Sequence, residues 1–132
     1  MAFEFNRNIE DQNYISEFAL ADGGSNSAVF DLEQIVGGDI EAIASAIVIP
    51  AAAGVPDDET VTFAVKDSAD GTTFADLTPA VSVVATGASG TGIPASEHRF
   101  RFPPATRRYV RLEVTNSGTI TATENVTFKL LF

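Results

Sequence analysis

The chain has 132 residues, with 18 acidic and 8 basic side chains and a formal net charge of −10 at neutral pH. This length fits one domain with a substantial core, and the acidity argues against nucleic acid or an anionic membrane as the main partner. Because cysteine is absent and His98 is the single histidine, a disulfide framework, a thiol nucleophile, a cysteine-containing zinc site and a poly-histidine metal cage are excluded.

The N-terminal residues 1–16 differ from the rest of the chain. They are polar and acidic, lack a clear hydrophobic period and carry the spaced aromatic residues Phe3, Phe5 and Tyr14. Two interpretations stay open: a first strand with a loose end, or an arm that packs on a neighbouring chain. Residues 17–132 are predicted to form one domain, because no linker or internal repeat interrupts them. No secretory signal and no membrane-spanning run is recognisable, which predicts a cytoplasm-like compartment.

Alternation of apolar and polar residues dominates the remaining chain and predicts strands with one face in the core. The stretch from Ala42 to Ile49 is almost entirely apolar instead, which predicts a strand covered on both faces. In chain order, the predicted strands lie near residues 17–20, 28–32, 42–49, 60–66, 73–77, 81–86, 98–102, 108–115 and 125–132.

Clusters of Gly, Asn, Asp and Pro separate these segments, and helical patterns are weak. Short strands at this spacing are typical of a sandwich or a barrel. We therefore predict an all-β fold, and about eight to nine antiparallel strands favour a jelly-roll β-sandwich.

No motif for catalysis stands out. His98 is in phase with Phe100 and Phe102, so we interpret it as a partly buried strand residue rather than as a member of a catalytic triad. The glycine-rich stretch 87–92 lacks the lysine and the helix of a phosphate loop, which favours a hairpin loop. We predict that the protein is not an enzyme and has no catalytic residue and no cofactor.

Two acidic clusters suggest calcium as an alternative. Asp57-Asp58-Glu59 and the pair Asp67 and Asp70 could together supply oxygen ligands. Turn formation explains both clusters more simply, because Asp side chains bind backbone amides in turns. We predict no metal site.

Basic residues are concentrated late in the sequence. Residues 1–66 hold twelve acidic and two basic side chains, and five of the eight basic residues then fall in one short stretch: Arg99, Arg101, Arg107, Arg108 and Arg111. One interpretation is pairing across strands with the protein's own Glu97, Glu113 and Glu124. The other is a basic patch that binds a second copy or a charged lattice.

Two stretches resemble parts of known proteins. The first, Val61 to Leu77 with its Asp-Gly-Thr-Thr-Phe-Ala-Asp-Leu sequence, resembles a strand–turn–strand unit of discoidin-like jelly rolls and of small phage structural proteins. The second, Arg108-Tyr-Val-Arg-Leu-Glu-Val114, resembles a strand of the same folds. The whole chain resembles the jelly-roll head decoration (cement) proteins of tailed bacteriophages, which include the capsid-stabilising protein of a Bordetella phage.

This resemblance implies a structural virion protein made in the host bacterial cytoplasm. It would sit on the outer capsid surface as a homodimer or homotrimer and bridge subunits of the major capsid protein. Its capsid or oligomer interface is predicted to include Phe3, Phe5, Tyr14, Arg99, Arg101, Arg107, Arg108 and Arg111. The alternatives are a discoidin-like carbohydrate-binding module, which the absence of Trp disfavours, and a phage tail or adaptor component.

Overall fold

The computed structural model describes residues 10–32 and 44–131, with side chains from Tyr14 onward. These residues form nine strands and no helix, so no helix in this part of the chain could cross a membrane. The strands are β1 (Glu10–Ala19), β2 (Ser25–Asn26), β3 (Phe30–Asp31), β4 (Ala44–Ile49), β5 (Thr60–Ser68), β6 (Ala75–Thr86), β7 (Ser96–Arg101), β8 (Tyr109–Asn116) and β9 (Asn125–Leu131).

The strands form two antiparallel sheets. The four-stranded sheet has the order β1-β9-β4-β7, and the five-stranded sheet has the order β2-β8-β5-β6, with β3 also paired to β8. Counted as one interrupted strand, β2 and β3 leave eight strands in two sheets of four, in the order of a jelly roll. The predicted jelly-roll β-sandwich is confirmed.

The first part of the chain departs from the predicted strand limits. Strand β1 begins at Glu10 and runs across residue 16, while residues 1–9 lie outside the described residues, so the arm stays a prediction. The strand predicted at 28–32 is reduced to the two residues of β3, and the two-residue β2 precedes it outside the predicted range. The interruption has a local cause: between them, the Ser27 hydroxyl accepts a hydrogen bond from the Leu112 N–H at 2.9 Å, where the strand ladder would continue.

The two strands predicted at 73–77 and 81–86 are one continuous strand, β6. The expected break around Pro79 is a shift of register instead, because Val65 pairs with Val81 while Lys66 pairs with Asp76. Residues 77–80 therefore lie between the two registers. An outer strand tolerates this, since a proline there removes no hydrogen bond from the sheet interior.

The core lies between the sheets and follows the predicted alternation. On β5, β8 and β9 the inward residues are fully buried, among them Phe63, Leu112 and Phe128. Phe30 stacks on Phe128 with ring centroids 5.3 Å apart. On β4 the outward Ala46 is also 0 % exposed, but the outward Ala44 and Val48 are half-buried, so the predicted coverage of both faces holds only at the centre of the strand.

Candidate functional site

One end of the sandwich, which we call the acidic end, consists of four loops: residues 20–24, 50–59, 87–95 and 117–124. These loops contain five acidic residues and no lysine or arginine: Asp22, Asp57, Asp58, Glu59 and Glu124. Strand direction brings them together, because β1, β4, β6 and β8 all end there. Charge that is spread over distant parts of the sequence is thus concentrated at one end of the molecule.

Hydrogen bonds link the loops of the acidic end to one another. Asp57 Oδ1 accepts a hydrogen bond from the Gly90 N–H at 2.9 Å, and the Ser117 hydroxyl donates to Glu59 Oε2 at 2.7 Å. Backbone bonds join Thr121 to Gly54 and Ala52 to Ile93. Asp57 and Glu59 therefore join separate loops, whereas the turn interpretation predicted bonds to backbone amides within their own turn.

The opposite end, which we call the arginine end, includes the β5–β6 turn and the β7–β8 loop. Here Asp67, with 4 % exposure, receives the Arg107 side chain: Nη2 donates to Oδ1 at 2.8 Å, and Nε donates to the same oxygen at 3.1 Å. The Arg107 backbone N–H adds a bond to Oδ2 at 2.9 Å. These bonds and the attraction of the carboxylate raise the pKa of the Arg107 guanidinium above its ordinary value. The clasp fixes the loop against β5.

Two further candidate arginines also bind carboxylates of the chain itself. Arg108 forms a fork with Asp31, at 2.8 Å from Nε and 2.9 Å from Nη2. Arg111 donates to Glu113 at 2.9 Å, and its guanidinium lies 4.0 Å from the centroid of the Phe74 ring. Of the three carboxylates bound by Arg107, Arg108 and Arg111, only Glu113 was predicted as an arginine partner.

The five arginines do not share one surface. Arg99 and Arg101 lie on the outer face of the four-stranded sheet, on its edge strand β7, whereas Arg111 lies on the outer face of the five-stranded sheet. Arg99 contacts Glu97 at 3.5 Å, and both side chains are about half exposed (50 % and 42 %). Their solvent-facing phase agrees with the sequence pattern, and their role at an interface stays a prediction.

The aromatic candidates have different outcomes. Tyr14 is half-buried at the core margin, where its ring meets Phe30 edge to face at a centroid distance of 5.9 Å. Its hydroxyl donates to the Asp31 carbonyl at 3.5 Å. Phe3 and Phe5 lie outside the described residues. Of the three, only Tyr14 therefore has described contacts, and these are within its own sandwich.

The β5–β6 turn is organised by Asp70. Its Oδ1 accepts hydrogen bonds from the backbone N–H groups of Thr72 and Thr73, at 2.9 and 3.0 Å, and from the Ser68 hydroxyl at 2.7 Å. The two backbone bonds are the main reason that the pKa of Asp70 lies well below its ordinary value. Gly71 follows with φ of +79°, a conformation that glycine adopts without strain.

The two acidic clusters considered for calcium are far apart. Strand β5 separates Asp57-Asp58-Glu59 from Asp67 and Asp70, and its nine residues span roughly 30 Å at the usual strand rise. Within residues 10–32 and 44–131, no three His, Asp or Glu side chains are grouped in a way that could hold a metal ion.

His98 lies half-buried on the inward phase of β7, and its Nε2 is 3.1 Å from the Ser96 hydroxyl. This position fits the predicted strand residue. The glycine-rich stretch is the loop between β6 and β7, where Gly92 has a φ of +74°.

A shallow groove crosses the outer face of the five-stranded sheet and encloses about 340 Å³. Three hydroxyl groups and three charged groups line it, over a floor of two alanines: Thr62, Ser82, Thr115, Lys66, Asp76, Glu113, Ala64 and Ala80. The Lys66 amino group lies between the two carboxylates of the groove, at 2.7 Å from Asp76 and 3.9 Å from Glu113. The groove is thus a polar surface able to hydrogen-bond a hydroxylated ligand.

Sequence reasoning missed Asp67 as the centre of the arginine end. A signal was present, because Asp67 continues the inward phase of Val61, Phe63 and Val65 on β5. A carboxylate at a core position predicts a cationic partner. The groove left no such signal, since its residues come from three strands.

No protein-family model matches the chain, and no curated protein matches it. Among solved structures, a crystal structure of PirA is 10 % identical, covers 91 % of this chain and 95 % of that chain, and has a TM-score of 0.46.

Two other similar structures have lower TM-scores. The structure described as "CBM4 structure and function" is 14 % identical with a TM-score of 0.40, and the match covers 87 % of this chain and 66 % of that chain. Xylanase10C (mutant E385A) from Cellvibrio japonicus in complex with xylopentaose is 16 % identical with a TM-score of 0.41, covering 88 % and 22 %. The strand order itself defines this chain as a jelly-roll β-sandwich protein.

Proposed function

We propose that the protein is a non-catalytic structural component of a tailed-phage virion, which decorates the outer capsid surface and bridges major capsid protein subunits as a small homo-oligomer. The observation that supports this proposal is the position of the two stretches that resemble discoidin-like jelly rolls and small phage structural proteins. Residues 61–77 and 108–114 form the adjacent strands β5, β6 and β8, and Arg107 beside the second stretch clasps Asp67 in the first. The resembling stretches thus build one unit.

The charge distribution supports oriented binding to a lattice. The loops of the acidic end carry carboxylates and no basic residue, whereas Arg99 and Arg101 lie exposed on β7. Surfaces of different charge on one molecule favour a single orientation on a charged partner. We infer that Arg99 and Arg101 face acidic groups of the capsid. The exposed Arg99–Glu97 pair contributes little to stability, so exchanging Glu97 for a capsid carboxylate costs little.

Weak contacts suffice for this role. A small oligomer that touches several capsid subunits at once gains effective concentration from the fixed spacing of the lattice. When a substitution removes one capsid contact from each copy, the oligomer therefore loses as many contacts as it has copies.

The test uses heads of the encoding phage that lack this protein. Occupancy is measured against protein concentration for the wild type and for Arg99→Gln with Arg101→Gln. Thr119→Glu with Thr123→Glu is the matched control, since it changes the net charge equally through exposed loop residues of the acidic end. We expect the half-saturating concentration to rise at least about tenfold for the arginine variant only.

Unchanged melting temperatures would show that each variant is folded. Equal binding by all three proteins would reject Arg99 and Arg101 as capsid contacts. Failure of the wild type to bind the heads would reject the decoration role itself.

The groove favours carbohydrate binding as a second candidate function. Sugar hydroxyls are bound by side-chain hydroxyl, amide and charged groups, and the groove presents the hydroxyl and charged kinds on a rigid sheet. Ser82 is exposed and Asp76 is 61 % exposed in its side chain, so both are accessible to a ligand.

A glycan array with the wild-type protein tests this second function. Binding should be lost in Asp76→Asn with Ser82→Ala and kept in Thr123→Ala, which changes an exposed residue away from the groove. No binding by the wild type, or binding that survives in the groove variant, would reject the groove as a sugar site.

A further inference from the structure

The four sheet edges of the described residues differ in their protection against association. Strand β1 contains three acidic residues, and β7 contains Glu97, Arg99 and Arg101. Strand β2 has only two residues. Charge and shortness are the usual means by which a sheet edge avoids pairing with another chain.

Strand β6 has neither protection over most of its length. It has twelve residues and is hydrogen-bonded only to β5 in the part of the chain that the structure describes. No charged residue occurs between Asp76 and Glu97. The segment after Pro79 is rich in valine, which favours extended structure.

Apolar side chains on both faces of β6 remain accessible. Val84, on the outer face, is 58 % exposed. On the inner face Val81, Val83 and Ala85 are only half-buried, although their partners on β5 are completely buried. The sandwich is therefore incompletely covered along β6, and a second strand beside it would bury this apolar surface.

We propose that β6 is a self-association surface, through which two copies pair antiparallel over residues 80–86 about a two-fold axis at Val83. Pro79 limits the segment at one side because it lacks an N–H. At the other side the segment is limited by the end of β6 at Thr86. In this register Val81 lies opposite Ala85 of the second copy and Ser82 lies opposite its Val84, so inner faces adjoin inner faces.

The absence of charge from residues 80–86 and the self-complementarity of an antiparallel pair argue for a second copy as the occupant. Two molecules of net charge −10 repel each other, and β6 is the long described edge where they can approach without placing like charges in contact. An antiparallel pair of the same segment is self-complementary and closes at two copies. The two five-stranded sheets would become one continuous sheet.

This inference deepens the proposed function and rests on it for its biological role, because a decoration protein that bridges subunits needs a contact with its own copy. The test is done in solution without capsids, so failure of self-association and failure of capsid binding are separate results.

Cross-linking tests the register. The chain contains no cysteine, so a single Val83→Cys substitution introduces one thiol per copy. Opposed residues of antiparallel strands have Cα atoms about 4.5–5.5 Å apart, within the range of a disulfide. Under mild oxidation we expect a covalent dimer from Val83→Cys and none from Thr123→Cys in an exposed loop. Equal cross-linking of the two variants would overturn the register.

Repulsion tests the surface independently. Ser82→Lys with Val84→Lys places lysines opposite lysines across the proposed axis, at positions exposed in the single copy. Thr115→Lys with Thr123→Lys adds the same charge elsewhere. By analytical ultracentrifugation and native mass spectrometry we expect a wild-type dimer, a dimer for the control, and a dissociation constant raised at least about a hundredfold for the β6 variant.

Melting curves of all variants check the fold. A wild-type monomer at high micromolar concentration, a trimer or a larger ring, or a dimer unaffected by the β6 lysines would each overturn the proposal.

Discussion

The two ends of the sandwich are held together by different interactions. At the acidic end, backbone hydrogen bonds and single side-chain acceptors join four loops that contain no basic residue. At the arginine end, two nitrogens of the Arg107 side chain donate to one oxygen of Asp67, and Arg108 forms a fork with both oxygens of Asp31. The acidic end therefore keeps its uncompensated negative charge at the surface, whereas the arginine end uses much of its charge for internal contacts.

This difference limits which charged residues serve an interface. Arg107 is committed to a nearly buried carboxylate, and replacing it would change the fold before it changed binding. Arg99 and Arg101 on β7 are the better interface candidates, because they are exposed strand residues on an edge. Four substitutions test the contrast between the ends.

The largest effect is expected from Asp67→Ala. The substitution removes the acceptor of the Arg107 clasp from a buried position and should lower the free energy of unfolding by about 3 kcal/mol, measured by urea denaturation. Asp76→Ala, which removes the more exposed partner of Lys66, is the control and should cost less than about 1 kcal/mol. Equal losses would show that the clasp does not stabilise the arginine end.

The next effect concerns the backbone of the acidic end. Gly92 has a φ of +74°, and a Cβ there would collide with the Ala52 carbonyl oxygen, so Gly92→Ala should cost about 2 kcal/mol. Gly90 has a similar φ of +69° but open space around it. Gly90→Ala should therefore cost about half as much in the same denaturation experiment. A Gly92→Ala protein as stable as Gly90→Ala would contradict the close packing of these loops.

A pH-dependent effect is expected at the β5–β6 turn. The pKa of Asp70 is lowered in the folded chain, so its carboxylate stabilises the fold above the ordinary Asp value, and this contribution is lost as the pH falls below that value. Asp70→Asn should be less stable than the wild type at pH 7, and the gap should narrow in acid. Unfolding curves at neutral and acidic pH measure this difference in stability. A difference that does not change with pH would contradict the lowered pKa of Asp70.

The smallest effect is expected at the exposed fork between Arg108 and Asp31. Both side chains are more than a third exposed, so Arg108→Ala should cost less than about 1 kcal/mol, and the cost should fall further as salt is added. Melting at low and high salt checks this. A large loss of stability that persists at high salt would show that this pair stabilises the fold as strongly as the Arg107–Asp67 contact.

Much of the fold could be predicted from the sequence, because alternation directly reports which side of a strand meets the core. The phases of Arg99, Arg101 and Arg111 and the position of His98 were predictable in this way. The limits of β6 could not be predicted. Pro79 suggests that the strand ends there, but in the structure it lies at a register shift within one continuous outer strand. The partners of Arg107 and Arg108 were also missed, since Asp67 and Asp31 are 40 and 77 residues away.

The sequence by itself determined the all-β class, the strand phases and the turn chemistry, because these depend on neighbouring residues and their two-residue period. Only the tertiary structure decided which carboxylate each arginine binds, that the acidic loops meet at one end, and that the uncharged part of β6 after Asp76 lies at a sheet edge. Those properties depend on strand order, and strand order brings together residues that are distant along the chain.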